Sequence, residues 1–263
     1  MPTNEESDLS ITKLETPRIL SKYFRHIHQF GKIQIDQSHP PVYEMLRYSM
    51  GWIDENGNTS LSQGKALRPT LCLYTCESLG TPYEKALPAA VALELIHNFS
   101  LIHDDIQDKD LIRHHKPTLW ARLGTSKALL AGNIMRVIAD KTATSLRSNN
   151  LPPNVIFEVL ELLTQSSLEM IEGQFLDIQF ESQSEISIHD YLKMISLKTG
   201  ALIRTSIKVG ALIGTQNTKV ISDFNDFAIN LGFAFQIRDD YLGIWGKSTE
   251  TGKAAVSYTH LTL

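Results

Sequence analysis

Apolar positions recur at helical spacing through most of the chain. Leu20, Phe24, Ile27 and Phe30 lie three or four apart and predict a helix over residues 19–31. A short helix is predicted from Val42 to Met50. The stretch Gly51 to Gln63, rich in Gly, Asn and Ser, reads as a loop. Beyond it nearly every segment has a helical period. Breaks fall at Gly80-Thr-Pro82, at Pro117, from Asn149 to Pro153, from Ser182 to Ser187, and from Gly214 to Thr218. No β-branched run with strand-spaced turn signals appears, so the expected fold is all-α. The run from Leu87 to Ile102 has few polar interruptions, the pattern of a helix buried on most of its sides. Residues 1–18 are polar and acidic and are expected to form a flexible segment.

Composition narrows the field. With 263 residues, 42% of them hydrophobic, the chain can bury a sizeable core. A net charge of −4 and no basic block argue against nucleic-acid binding. The only cysteines, Cys72 and Cys76, lie four apart in an apolar helical stretch and read as buried thiols. No uninterrupted apolar run reaches the length of a membrane span, and the start has no apolar signal core. A cytoplasmic location is expected.

The buried helix ends in Asp104, Asp105 and Asp108. On a helix Asp104 and Asp108 share a face, about 6 Å apart along the axis. Two such charges repel by roughly 2–3 kcal/mol at an effective dielectric near 20. Acids gathered at the end of a buried helix suit a hard cation such as Mg²⁺, which commonly also holds a substrate phosphate. Isolated, the pattern would more often be a solvated helix end. Four further features accompany it. Lys65 and Arg68 stand at a predicted helix start, where free N–H groups favour an anion. Arg113, His114, His115 and Lys116 form a cationic patch beyond the acids. Lys198-Thr199-Gly200 interrupts an apolar helix, with Gly173, Gln174 and Asp177 some twenty residues earlier. Lastly, Gln236 precedes a second acidic pair, Asp239 and Asp240, by one turn.

In order, these read G-K-x-x-R-P, L-I-H-x-x-x-x-x-H-D-D-x-x-D, G-Q-x-x-D, K-T and F-Q-x-x-D-D. Each is weak alone, but five in sequence resemble the trans-isoprenyl diphosphate synthases, or polyprenyl synthetases, of the geranylgeranyl and farnesyl diphosphate synthase kind. The match runs from about residue 60 to 253. The resemblance implies an all-α isoprenoid synthase bundle with a central cavity, a homodimer and Mg²⁺ as cofactor. It implies head-to-tail condensation of isopentenyl diphosphate with an allylic diphosphate, with geranylgeranyl diphosphate the expected product and farnesyl diphosphate the alternative. By the same resemblance the metal carboxylates are Asp104, Asp105, Asp108, Asp239 and Asp240. Lys198, Thr199, Gln236 and Arg113 hold the allylic diphosphate. Lys65, Arg68 and His97 hold isopentenyl diphosphate, and Lys253 closes over the metal-bound diphosphate. Phe99 and Ser100, five and four residues before Asp104, set the depth available to the growing chain.

The chain departs from that pattern in three places. Gly243 stands where the second motif commonly ends in aspartate, which leaves two carboxylates there. His114 stands where a second arginine is frequent. The residues after Lys253 match no part of the family, so the domain is expected to span 19–253, incomplete at its C-terminus, with 254–263 a non-native tail. Two other functions remain open at this point. One is a class I terpene cyclase, against which Lys65 and Arg68 argue. The other is an inactive or regulatory subunit or fragment.

Overall fold

The computed structural model describes residues 4–36, 40–60, 64–114 and 116–245. Lys253, His115 and the expected tail 254–263 lie outside the described residues. The described chain is helical almost throughout. Its elements in order are α1 (Asn4–Ile35), α2 (Pro40–Ser49), α3 (Leu67–Ser78), α4 (Leu87–Gln107), α5 (Leu119–Leu123), α6 (Thr125–Thr144), α7 (Pro153–Phe180), α8 (Ile188–Ile195), α9 (Ala201–Gly214) and α10 (Thr218–Trp245). The helical backbone of α1 begins at Asn4, through the stretch read as flexible. Residues 4–16 contain neither glycine nor proline, and Glu5, Glu6 and Asp8 favour a helix N-terminus. Among the described residues strand pairing is confined to a small antiparallel ribbon, β1 (Ile112–Arg113) with β2 (Lys116–Pro117), which pairs Ile112 with Pro117 and Arg113 with Lys116, and to a single bridge between Ile53 and Thr59.

Contacts divide the chain into two compact units. The first comprises Met1–Leu160 and Val209–Gln216, the second Glu161–Lys208 and Asn217–Leu263.

The first unit is built around α4, which packs chiefly against α6 and also against α3 and α1. Ala89, Ala90, Val91, Ala92, Leu93, Leu95 and Ile96 are all fully or almost fully buried. Buried residues in such a run occupy every face of the helix, as its near-continuous apolar sequence requires. Together with the turn that precedes it, Tyr83–Gln107 is long and apolar enough to cross a membrane by composition, but most of it is buried inside the fold. Two glycines set close crossings. A Cβ on Gly132 of α6 would lie 2.3 Å from His103 Nε2 of α4. A Cβ on Gly210 of α9 would lie 2.4 Å from the Cys72 carbonyl oxygen of α3. Cys72 and Cys76 are free and buried, as expected.

In the second unit α8 opens at Ser187, whose Oγ accepts the backbone N–H of Asp190 at 3.1 Å and caps the helix. At its C-terminal end α8 passes into a π-helical turn, Ser196–Gly200, before α9 begins. This turn is the local break anticipated at Lys198-Thr199-Gly200. Such bulges recur at functional positions because the widened turn re-aims its side chains.

Candidate active site

In the first unit the start of α3 and the middle of α4 bring Arg68 and His97 together, with Arg68 Nη1 3.1 Å from His97 Nε2. Arginine can only donate, so Nε2 accepts and the imidazole proton sits on Nδ1. Burial holds the His97 pKa well below its usual value, and the charges of Arg68 and Arg113 add to that, so the ring is neutral. Lys65 stands exposed at the left-handed entry to α3, where Ala66 has φ 48°. Glu94, one turn before Asn98, is buried and accepts from Asn98 Nδ2 at 3.3 Å. Its pKa is raised by burial, an effect opposed by the Arg68 charge.

The first acidic cluster closes α4. The Asp108 backbone N–H bonds to the Asp104 carbonyl at 2.8 Å, so these two residues keep the one-turn spacing expected of them. Asp104 is half-buried and Asp108 exposed. Asp105 is buried, and its Oδ1 accepts from Arg113 Nε at 2.6 Å. The ribbon β1–β2 delivers Arg113 to this carboxylate, and Asp110 lies 3.7 Å from its other end. Burial raises the Asp105 pKa, while the Arg113 charge and hydrogen bond act against that. Phe99 is buried, its ring edge-on to His103 with centroids 5.6 Å apart. Ser100 is half-buried and bonds back to the His97 carbonyl at 2.8 Å.

The second unit assembles its polar side chains at two glycine crossings. A Cβ on Gly173 of α7 would lie 2.2 Å from the Lys198 backbone nitrogen. One turn further along α7, Asp177 forms an ion pair with Lys198. A Cβ on Gly232 of α10 would lie 3.0 Å from Gly200 Cα. One turn further along α10, Gln236 Oε1 accepts from the Thr199 hydroxyl at 2.6 Å. Another turn on, Asp240 Oδ1 accepts from Gln236 Nε2 at 2.8 Å. In both cases the missing side chain lets the π-helical turn approach, and the residue four positions later meets the side chain carried by that turn. Asp239 is exposed. Gln174 is buried, and its amide nitrogen and oxygen have no hydrogen-bond partner among the described residues.

A family model described as polyprenyl synthetase matches residues 50–257, which include every motif above. The chain belongs to the polyprenyl synthetase family. A (2E,6E)-farnesyl diphosphate synthase of Mycobacterium tuberculosis is 38% identical over 223 residues, 84% of this chain and 61% of that protein. A geranylgeranyl diphosphate synthase of Sulfolobus acidocaldarius is 40% identical over 197 residues, 74% of this chain and 59% of that protein. The chain thus spans about three fifths of the length of these curated relatives. The crystal structure of a polyprenyl synthetase from Streptomyces coelicolor A3(2) superposes with a TM-score of 0.84 at 33% identity, over 92% of this chain and 70% of that one. The all-α isoprenoid synthase fold expected from the sequence is borne out.

Within the polyprenyl synthetase motifs, Arg68 with His97, Asp105 with Arg113, and Thr199 with Gln236 and Asp240 come together in pairs or chains. Among the described residues no three His, Cys, Asp or Glu side chains are gathered closely enough to hold an ion. Tyr191 was missed by the sequence reading. Its hydroxyl donates to Asp240 Oδ2 at 2.6 Å, and burial and that carboxylate push its pKa above the usual phenol value. The available signal was its position seven residues, two helical turns, before Lys198.

Proposed function

We propose that the chain is a trans-prenyltransferase that condenses isopentenyl diphosphate with an allylic diphosphate and releases diphosphate. The observation that carries this reading is that each unit holds an acidic helix end and cationic side chains, Asp104 to Asp108 with Arg68 and Arg113 in one, and Asp239 and Asp240 with Lys198 on its π-helical turn in the other. Homology to proteins named farnesyl and geranylgeranyl diphosphate synthase supports it and leaves the product length between them.

The donors are carboxylate oxygens, the type of ligand that Mg²⁺ prefers. Asp104 and Asp108 are hard oxygen ligands one turn apart, and Asp239 is an exposed carboxylate beside a tethered one. We assign the metal carboxylates to both acidic helix ends, Asp104, Asp105 and Asp108 in the first unit and Asp239 and Asp240 in the second. Arg113 orients Asp105, and Tyr191 and Gln236 orient Asp240. Bound Mg²⁺ would supply charge neutralisation to the departing diphosphate.

The allylic C–O bond breaks with its electron pair staying on the diphosphate. The double bond of isopentenyl diphosphate supplies the pair for the new C–C bond, and a proton is then lost, with the released diphosphate as acceptor. Lys198 exchanges Asp177 for a diphosphate oxygen, so its charge is held in reserve until substrate arrives. The Thr199 and Gln236 side chains are already oriented by one another. Arg68 and neutral His97 grip isopentenyl diphosphate with charge and hydrogen bonds alone, and exposed Lys65 adds a charge at the entry to α3. The unsatisfied amide of Gln174 supports a ligand in the second unit, since leaving a buried amide unpaired costs about 1–3 kcal/mol.

A homodimer belongs to the same reading. Leu130 and Val137, two turns apart on α6, are 57% and 66% exposed, apolar surface that a second copy of the chain would cover. Product analysis with dimethylallyl, geranyl or farnesyl diphosphate, with and without isopentenyl diphosphate, tests the function. Elongation only when isopentenyl diphosphate is present is expected. Cyclic hydrocarbon formed without it would point to a cyclase.

A further inference from the structure

None of the sequence motifs includes Tyr191, yet among the described residues it supplies one of two hydrogen bonds to the Asp240 carboxylate. The phenol donates to Oδ2 at 2.6 Å and the Gln236 amide to Oδ1 at 2.8 Å. The remaining end of Gln236 accepts from Thr199 at 2.6 Å. Donation therefore converges on one carboxylate, from Thr199 through Gln236 on one side and from Tyr191 on the other. Both donors to Asp240 are neutral, so they fix its plane without cancelling its charge. The bond also fixes which way round the Gln236 amide lies, because its NH₂ end must face Asp240 and its oxygen Thr199. Tyr191 is itself anchored, since it sits in the first turn of the Ser187-capped helix that leads into the turn bearing Lys198 and Thr199.

We propose that Tyr191 is a positioning residue: its hydroxyl holds Asp240 in the orientation that keeps Gln236 and Thr199 set for a diphosphate ligand. This rests on the proposed function for the identity of the ligand. Phenylalanine at 191 fills the same volume but offers no donor. Asp240 then regains its rotamers, and the Gln236 amide loses the fixed acceptor that orients it. The preorganisation that lets these groups meet a ligand without rearranging is lost with it.

The test compares the 263-residue chain with its Tyr191→Phe variant by calorimetric titration of inorganic diphosphate, in Mg²⁺ and in EDTA, alongside steady-state kinetics. The variant should bind diphosphate in Mg²⁺ at least tenfold more weakly with unchanged stoichiometry. Its kcat should fall at least tenfold, while KM for isopentenyl diphosphate stays within twofold. A merely structural role would lower the stoichiometry, as molecules unfold, and leave the affinity of the rest intact. That result, or equal affinities, would overturn the proposal, as would a parent chain that does not bind diphosphate in Mg²⁺. Hydroxyl-dependent binding in a chain that makes no prenyl product would uphold the role of Tyr191 and sink the prenyltransferase reading instead.

Discussion

Gly173 and Lys198 touch backbone to backbone: a methyl group on Gly173 would sit 2.2 Å from the Lys198 nitrogen and 2.6 Å from its Cα. Backbone cannot swing aside as a side chain can, so this contact fixes where the π-helical turn lies on α7. Lys198 reaches Asp177 because of it.

Gly173→Ala should therefore destabilise the protein although alanine is the better helix former. Helix propensity favours alanine by about 1 kcal/mol. Forcing apart two packed backbones costs more, about 2–3 kcal/mol or above. Urea denaturation should show a net loss of stability, and an unchanged or raised midpoint would mean that the turn does not lie against α7.

Removing Arg113 should expose the weakness of the first acidic cluster. Asp105 keeps only 8% of its side-chain surface accessible, and Arg113 lies against it at 2.6 Å. Arg113→Ala leaves that carboxylate buried without its cation, at a cost of about 3 kcal/mol by analogy with other broken buried pairs. Adding Asp105→Asn removes the uncompensated charge, so the double variant should recover part of the loss. A double variant no more stable than Arg113→Ala would show that the pair is not coupled.

Acid should weaken the first unit through His28. This buried ring accepts from Trp52 Nε1 at 2.8 Å, and burial, with Lys32 nearby, lowers its pKa to about 4. The unfolded chain takes up the proton near pH 6.5, so between there and about 4 it binds more protons than the native state. Stability is thus complete above pH 6.5 and falls as the pH drops, by about 3 kcal/mol over the full shift. His28→Gln keeps an acceptor for Trp52 and removes the proton. Melts from pH 7 to 4.5 should show a shallower decline for this variant, and parallel curves would exclude His28 as the cause.

Product length should respond to the two residues before the first acidic cluster. Phe99 is buried edge-on to His103, and Ser100 is small and half-buried. Phe99→Ala should lengthen the products and Ser100→Phe should shorten them, read by chromatography of the dephosphorylated alcohols. Identical distributions from the parent and both variants would move the limiting residues elsewhere.

Much of this was legible in the sequence, for identifiable reasons. The unbroken apolar run of α4 could only be an enclosed helix, and each Gly or Pro break fell at a helix end or between two helices. Regular helix fixes which residues share a face, so Asp104 with Asp108 and Gln236 with Asp240 followed from spacing. The break at Lys198 was visible as a glycine and a threonine inside an apolar helix. Partners brought together by tertiary folding were not visible. Nothing local tells Arg113 to turn back onto Asp105, because the ribbon that delivers it is four paired residues long. Tyr191 meets Asp240 from 49 residues away, and its own surroundings are those of any amphipathic helix.

The most direct test of the account is elongation of geranyl diphosphate by isopentenyl diphosphate in Mg²⁺, with Asp104→Ala beside the parent protein. The parent should form longer prenyl diphosphates only when both substrates are present. The variant should lose several kcal/mol of transition-state stabilisation, a fall in kcat of about a thousandfold or more. An Asp104→Ala protein that is folded and turns over at near the parent rate would contradict the assignment of chemistry to this helix end.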